Sequence, residues 1–223
     1  IFSWSLTAAE TMARLESYII ADDVELEDET AAWQGWQIAG PGVGAWLSQW
    51  RAEGAVDERV GWREANQLPP ESIRVVSKSQ PEWPVEWQEG NDAMFTRARV
   101  LAGIPEVGID LGDGDFPQEA QQEGVGVSFR KGCYLGQEVM ARLTNTGRVR
   151  RRLTVVAGEG VPPTTLDEGL FQQEKQVGTL RSRVVDEEAG WVGLAMMNLA
   201  HFDEAQPMTT AAGAKIRPTT AAD

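Results

Sequence analysis

Two residue types that build metal and disulfide sites are almost missing from this sequence. Cys133 is the only cysteine and His201 the only histidine among 223 residues. One thiol excludes an intramolecular disulfide framework, and the two residues together are too few for a zinc cluster of Cys and His ligands. We therefore predict no metal site built by this chain and a cytosolic (cytoplasmic) location, where thiols stay reduced.

Long apolar runs are also missing. No run approaches the length of about 20 residues that a membrane-spanning helix requires. The first residues, Ile1-Phe2-Ser3-Trp4, lack the basic flank of a signal peptide. We predict no membrane partner.

Basic residues are scarce, with 20 Lys and Arg against 34 Asp and Glu, a net charge of −14. This balance disfavours an RNA-binding module, because such surfaces neutralise phosphates with Lys and Arg. From Lys131 to Arg152, however, six basic residues and one acid give +5, so the remainder carries −19. This segment is predicted to receive an anion, although a solvated strand start at residues 148–152 explains the arginines equally well.

The only thiol lies within the basic segment. Gly132 and Gly136 flank Cys133, and Arg130 and Lys131 precede it. The thiolate is the chemically useful form, and neighbouring cations favour it. We predict that Cys133 and Lys131 form a functional site; the alternative is a small buried apolar cysteine.

The first half of the chain reads as an α+β unit. Thr7 and Glu10 form a capping box that predicts a helix. Strands are predicted at residues 24–27, 31–39, 56–63 and 73–77, with a helix between the second and third that carries Val43, Trp46, Leu47 and Trp50 on one face and ends at Gly54. The order strand, helix, strand, strand indicates the split β-α-β type.

Glycines after the second predicted strand partly match a dinucleotide fingerprint, as Gly40-x-Gly42-x-x-Ala45. The fingerprint also needs an acid at the end of the next strand, whereas Asp57 and Glu58 lie at the beginning of that strand. We therefore favour a tight turn between strand and helix.

The second half changes from helix to short strands. Asn91 or Asp92 caps a predicted helix that ends at Gly103, before Pro105. After Leu153, strands are predicted at residues 153–157, 170–171, 176–185, 191–196 and 215–217, which favours a small antiparallel β-barrel or sandwich. We predict an α+β domain at residues 1–147 and a β-barrel domain at residues 148–223.

Three ordered motifs carry a resemblance to a known family. They are residues 131–138 (KGCYLGQE) with Arg142 and residues 147–153 (GRVRRRL), residues 99–110 with Arg99, GIP, Gly108 and Asp110, and residues 116–120 (FPQEA). Together they resemble the YgfZ family of folate-binding proteins, relatives of the glycine cleavage T-protein. The resemblance implies a GcvT/YgfZ-like folate-binding α+β domain, incomplete at its N terminus, followed by a C-terminal β-barrel.

The same resemblance implies a tetrahydrofolate site. Glu119 matches the carboxylate that pairs with the amino and ring N–H groups of a pterin. Phe95 falls where the family places an aromatic residue near folate, although core packing is the stronger alternative. Arg142 and Arg148 would meet the glutamate tail, and Tyr134 is a further folate-binding candidate.

In the family, Cys133 lies at the mouth of the folate pocket, with Gln137 and Glu138 nearby to orient it. These residues and Lys131 are the catalytic candidates that the resemblance supplies.

The implied function is a tetrahydrofolate-binding accessory protein that supports assembly or repair of iron–sulfur clusters and thereby tRNA modification. Its expected partners are folate and iron–sulfur cluster proteins or assembly factors. A lone cysteine cannot hold a cluster that usually takes four thiolates, so it would be redox-active or supply one ligand in a transient complex. The alternative is a folate-dependent aminomethyltransferase like the T-protein, which does not depend on the cysteine motif.

Overall fold

The computed structural model describes residues 1–3, 6–20, 23–52, 59–63, 72–147, 149–186 and 190–219. The described residues of 1–88 form one compact unit, and those of 89–223 form a second. Within this described part of the chain, no helix has both the length and the hydropathy needed to cross a membrane.

The first unit opens with helix α1, Ala8–Glu16, which begins at the predicted capping box. The Thr7 hydroxyl accepts a hydrogen bond from the Glu10 amide at 3.2 Å, and the Glu10 carboxylate accepts one from the Thr7 amide at 2.8 Å. Hydrogen bonding to the Thr7 side chain lowers the pKa of Glu10. Two of the free amides of the helix start are thereby satisfied.

A three-stranded sheet forms the body of this unit. A 3₁₀ turn, Thr30–Ala32, leads into β1, and the elements that follow are β1 (Gln34–Ala39), α2 (Val43–Ala52), β2 (Arg59–Arg63) and β3 (Ser72–Ser77). β3 lies in the middle and pairs antiparallel with both neighbours. β1 and β2 are therefore parallel, joined through α2, with β3 between them, which is the predicted split β-α-β arrangement.

The predicted strand at residues 24–27 is wrong. These residues belong to no strand in the described part of the chain. Alternation of Val and Leu with Glu is not sufficient, because a strand also requires a neighbour with which to exchange hydrogen bonds. The predicted helix end at Gly54 lies outside the described residues.

The core of the first unit is the face of α2 packed on β3. Val43, Leu47 and Trp50, spaced i, i+4 and i+7, are buried against Ile73 and Val75, which alternate on one side of the strand. Four further tryptophans border this core: Trp36, Trp46, Trp83 and Trp87. The turn before α2 is tight, since Gly40 and Gly42 have φ of 138° and 84°.

The second unit begins with helix α3, Asp92–Leu101, where the Asn91 side chain accepts the Met94 amide at 3.0 Å as predicted. A short helix α4, Glu123–Gly126, and a longer helix α5, Gln137–Thr146, follow. The sequence did not predict α5. Both its ends are glycines in the left-handed region, Gly136 at φ 84° and Gly147 at φ 58°, and no capping side chain marks its start.

The rest of the second unit is a closed antiparallel barrel. Its strands are β4 (Arg151–Gly158), β5 (Gly169–Gln172), β6 (Lys175–Asp186), β7 (Gly190–Asn198), β8 (Met208–Thr210) and β9 (Lys215–Pro218), in the spatial order β4-β7-β6-β5-β8-β9. β9 pairs with β4 and closes the barrel. The predicted barrel is therefore present; only β8, three residues long, was missed.

Two apolar clusters stabilise the barrel. One contains Leu170, Leu180 and Trp191, all fully buried. The other packs Val100 of α3 against strand residues such as Leu153 and Leu194. The barrel starts at Arg151, whereas the compact units divide between residues 88 and 89. The domain boundary near residue 147 remains a prediction.

Replacing Gly158 by alanine should destabilise the barrel by about 2–3 kcal/mol, because overpacking a rigid core forces side chains out of place. A Cβ atom at Gly158 would lie 2.2 Å from the Trp191 ring, which is fully buried and cannot move aside. Urea unfolding measures the loss. Gly124→Ala is the matched control: its Cβ meets nothing within 4 Å, so its stability should stay within about 1 kcal/mol of the parent. Equal midpoints of urea unfolding for the two variants would contradict the close packing of Trp191 against Gly158.

Candidate functional site

Cys133 lies on an exposed loop between α4 and α5, four residues before α5 begins. A Cβ atom at Gly132 or Gly136 would meet nothing within 4 Å, so the backbone on both sides is open. The alternative of a small buried cysteine is therefore wrong. The thiol is accessible from solvent, as a ligand or a nucleophile must be.

Lys131 and Tyr134 contact each other on this loop. The Lys131 ammonium lies 4.8 Å from the centroid of the Tyr134 ring, a cation–π contact. The Tyr134 hydroxyl is buried and has no hydrogen-bond partner among the described residues. A buried hydroxyl without a partner is a costly arrangement, and one that a bound ligand or water could satisfy.

Gln118 anchors α5 to the loop that precedes α4. Its side-chain amide donates to the Met140 carbonyl and to the Thr144 hydroxyl, both at 3.3 Å. Gln118 is only 7% exposed, and the oxygen of its side-chain amide, Oε1, has no hydrogen-bond partner among the described residues. Sequence reasoning gave Gln118 no role, although the motif at residues 116–120 contains it.

Glu119 is buried and forms a bidentate pair with Arg151 of β4. The Arg151 Nε donates to Oε1 at 2.9 Å and its Nη2 to Oε2 at 2.7 Å, while the Phe116 amide donates to Oε2 at 3.0 Å. Arg151 also pairs with Asp115 at 3.0 Å. The hydrogen bond to Glu119 raises the pKa of Arg151, which partial burial alone would lower.

This pairing uses most of the accepting capacity of Glu119. A carboxylate offers about four lone-pair positions, and three are taken. The pterin role of Glu119 remains a prediction, and the sequence did not reveal Arg151 as its partner. The basic run at residues 148–152 was the available signal, but it could not single out one arginine.

The other candidate residues are spread over the second unit. Phe95 is half-buried on α3, next to Gly90. Gln137 is half-buried and Glu138 exposed in the first turn of α5, where a negative charge favours the helix start. Arg142 is exposed on α5, and Arg148 lies outside the described residues.

Five of the candidates thus lie in one short segment of the chain: Lys131, Cys133, Tyr134, Gln137 and Glu138. Within the described residues, no hydrogen bond or ion pair joins this segment to Phe95 or Glu119. The described residues also contain no group of three or more His, Cys, Asp or Glu side chains that could hold a metal ion.

Comparison with known proteins adds four findings. The family described as CAF17, C-terminal beta-barrel domain, matches residues 150–222, the segment that contains all six barrel strands. The iron-sulfur cluster assembly factor IBA57 of Mus musculus is 33% identical over 142 residues, 62% of this chain and 37% of its own length. An IBA57 homologue of Cryptococcus neoformans is 27% identical over 172 residues, 64% of this chain and 45% of its own length. The tRNA-modifying protein YgfZ of Cronobacter sakazakii is 27% identical over 118 residues, 51% of this chain and 36% of its own length.

A solved structure supports the fold at lower identity. The aminomethyltransferase T of the glycine cleavage system from Bartonella henselae superposes with a TM-score of 0.68 and 15% identity, over 96% of this chain and 64% of that one. This likeness confirms the GcvT-like α+β fold and says nothing more. The chain spans less than half the length of each of the three relatives above. Residues 150–222 match a CAF17-type C-terminal barrel, and longer stretches of the chain are similar to IBA57 proteins and to YgfZ.

Proposed function

We propose that this chain is part of a tetrahydrofolate-binding accessory protein that supports assembly or repair of iron–sulfur clusters and, through cluster enzymes, tRNA modification. The observation that carries the proposal is the exposed thiol of Cys133, the only one in a chain similar to IBA57 cluster assembly factors and to YgfZ. Since a cluster usually takes four thiolates, Cys133 supplies at most one ligand, to a cluster held mainly by a partner protein.

Two buried atoms that have no hydrogen-bond partner among the described residues support the folate part of the proposal. The Tyr134 hydroxyl can donate or accept a hydrogen bond, and the Oε1 of the Gln118 side chain can accept one. A pterin ring carries N–H donors and a carbonyl, which are the complementary groups. When bound, tetrahydrofolate would supply a reduced ring and an acceptor for one-carbon units; the chain supplies the hydrogen bonds that orient it.

Charge and an aromatic ring supply the remaining contacts of this proposed site. Arg142 is exposed and forms no ion pair with another described residue, so it is available for the anionic glutamate tail. The resemblance assigns the same tail to Arg148. Phe95 is half-buried and offers a ring for stacking. Both roles rest on the resemblance.

An aminomethyltransferase is the second candidate, and it rests on Glu119, which matches the pterin-binding carboxylate of the T-protein relatives. The two candidates differ in turnover. Release of methylenetetrahydrofolate on addition of glycine-cleavage substrates would favour the transferase, whereas folate binding without product would favour the accessory role.

The compartment remains a proposal as well. The cytosolic location follows from cysteine usage. The IBA57 relatives are named as mitochondrial proteins.

Titration with tetrahydrofolate should quench the tryptophan fluorescence of the full-length protein, to which this chain contributes nine tryptophans. Replacing Arg142 and Arg148 together by serine should lower the affinity for a polyglutamylated folate by about tenfold, because each lost charge contact is worth up to about 1 kcal/mol. The affinity for the monoglutamate should fall less, and added salt should reduce the difference between the two losses of affinity.

Arg217→Ser, at an exposed arginine of β9, is the control and should bind both ligands as the parent does. Equal losses for the two ligands would refute the assignment of the arginines, and no quenching of the parent would refute folate binding.

A further inference from the structure

A cleft of about 570 Å³ lies in the first unit, between α2 and residues 80–84. Three indole rings and three polar side chains line it: Trp46, Trp50, Trp83, Gln49, Gln80 and Glu82. The three residues of α2 among them are spaced i, i+3 and i+4, so they share one face of the helix. Ligand sites for small molecules measure roughly 300–1,000 Å³. The cleft therefore has the size of such a site.

The indole rings of this cleft hold one another in place. The ring centroid of Trp46 lies 5.4 Å from that of Trp50 at an interplanar angle of 12°, and 5.3 Å from that of Trp83 at 28°. Trp36 packs edge-on against Trp83, with ring centroids 5.7 Å apart. Trp46 and Trp83 are nevertheless only half-buried, so part of each ring faces solvent. The cleft thus has aromatic walls that are fixed before any ligand arrives.

The charge at the cleft is negative. Among the described residues that line it, Glu82 is the only charged one. Residues 80–88 contain a second acid, Glu86, and no lysine or arginine. Both glutamates are exposed, and neither forms an ion pair with another described residue. Arg51 and Lys78 are the nearest basic residues in the sequence, and they do not line the cleft. A ligand complementary to this cleft is therefore a cation.

The walls also restrict the kind of cation. The face of an indole ring attracts a positive charge that lies within about 6 Å of the ring centroid. A metal ion instead requires several oxygen ligands, and the described residues contain no group of three or more His, Cys, Asp or Glu side chains that could supply them. A neutral ring or a proline-rich peptide would stack on the indoles but make no use of Glu82. The ligand that uses both features is an organic cation with an apolar surface.

We propose that this cleft, which we term the tryptophan cleft, binds a trimethylammonium group, with Trp46 and Trp83 against its methyl groups and Glu82 as its counter-charge. Such a group spreads one positive charge over apolar methyl surface, and aromatic rings are the usual means by which proteins recognise it. Free molecules such as choline carry this group, and so does trimethylated lysine in proteins. The inference goes beyond the proposed function, because every residue assigned to that function lies in the second unit.

The first test titrates choline into the full-length protein by calorimetry. The matched ligand is the neutral carbon analogue of choline, in which a tert-butyl group replaces the trimethylammonium group. We expect choline to bind with a Kd of about 1 mM or tighter. The analogue has the same shape but no charge, so it should bind at least about tenfold more weakly.

A second arm of the titration distinguishes the two sources of the group. It compares choline with a peptide that carries trimethyllysine and with the same peptide carrying unmodified lysine. Tighter binding of the trimethylated peptide than of choline would identify a modified protein as the ligand, and the reverse order would identify a free molecule. The unmodified peptide should bind more weakly than the trimethylated one in either case, because its ammonium is strongly hydrated.

Substitutions locate the binding in the cleft. Glu82→Gln should lower the affinity for choline by about three- to fivefold, the effect of losing an exposed charge contact. Glu86→Gln is the matched control, since Glu86 is exposed on the same segment but does not line the cleft. Trp83→Leu should lower the affinity by about tenfold or more, and Trp83→Phe, which keeps a ring, should lower it less. Because Trp83 borders the core, Glu82→Gln and the neutral analogue decide the question if Trp83→Leu does not fold.

Three results would each overturn the proposal: no binding of choline or the trimethyllysine peptide by the parent up to about 10 mM, equal affinities for choline and its neutral analogue, or equal affinities of Glu82→Gln and Glu86→Gln for choline. Binding of a proline-rich peptide in place of both trimethylammonium compounds would also overturn it and make the cleft a peptide groove. Glu82→Gln should bind tetrahydrofolate as the parent does, so the tryptophan cleft and the proposed function stand or fail separately.

Discussion

On the proposed function, Cys133→Ala should abolish the contribution of the protein to cluster metabolism and leave its folding almost unchanged. The thiol is exposed between open glycines, so its removal creates no cavity, and the free energy of unfolding should change by no more than about 0.5 kcal/mol. In cells that lack the native gene, the variant should fail to restore cluster-enzyme activity or methylthiolated tRNA. Its affinity for tetrahydrofolate should be nearly parental.

The neighbouring Ser128→Ala is the control for this experiment, since it removes a small exposed polar group from the same loop and should complement fully. Full complementation by Cys133→Ala would remove the thiol from the proposed function. A large drop in its melting temperature would mean instead that the side chain packs against the protein, contrary to its exposure.

Arg151→Met should be strongly destabilising, by about 3 kcal/mol, because removing one partner leaves the Glu119 carboxylate buried and unpaired. The two nitrogens that hold Glu119 lie 2.9 and 2.7 Å from its oxygens. Urea unfolding at neutral pH measures the effect. Arg152→Met, one residue further and exposed, is the matched control and should change stability by no more than about 0.5 kcal/mol.

A second variant tests the cause. Arg151→Met combined with Glu119→Gln removes both charges and should recover part of the lost stability. Because the pKa of Arg151 is raised from a value already far above neutral, its charge and the stability it contributes are present throughout the usual pH range and are lost only in strong alkali. No recovery in the double variant would show that Arg151 acts through packing rather than through charge.

The Arg151 variant should also disturb the site around Cys133. Glu119 follows Gln118 directly in the chain, and Gln118 holds α5 through Met140 and Thr144. Loosening this loop should therefore weaken the anchoring of α5. The effect would be visible as faster hydrogen exchange at the amides of α5.

Short-range patterns in the sequence predicted the secondary structure well. The capping box at Thr7 and the cap at Asn91 were correct because the hydrogen bonds involved join residues three apart. Alternation predicted most barrel strands, and the order of elements predicted the split β-α-β unit. The exposure of Cys133 was also predictable, from glycines and charges beside it.

The errors and omissions arose where a local pattern was misleading or absent. Residues 24–27 alternate like a strand but have no strand beside them, and β8 is too short to show a pattern. The start and end of α5 depend on two glycines in the left-handed region, which sequence alone does not distinguish from loop glycines.

The sequence by itself determined the local elements, most strands of the second half and the position of the only thiol, because each depends on neighbours within a few positions. Only the tertiary structure decided that Glu119 is paired with Arg151, 32 residues away, and that Gln118 anchors α5 across 22 and 26 residues. A side chain reaches such a partner only after the backbone between them has folded, and any of several arginines in the basic run could have filled the role.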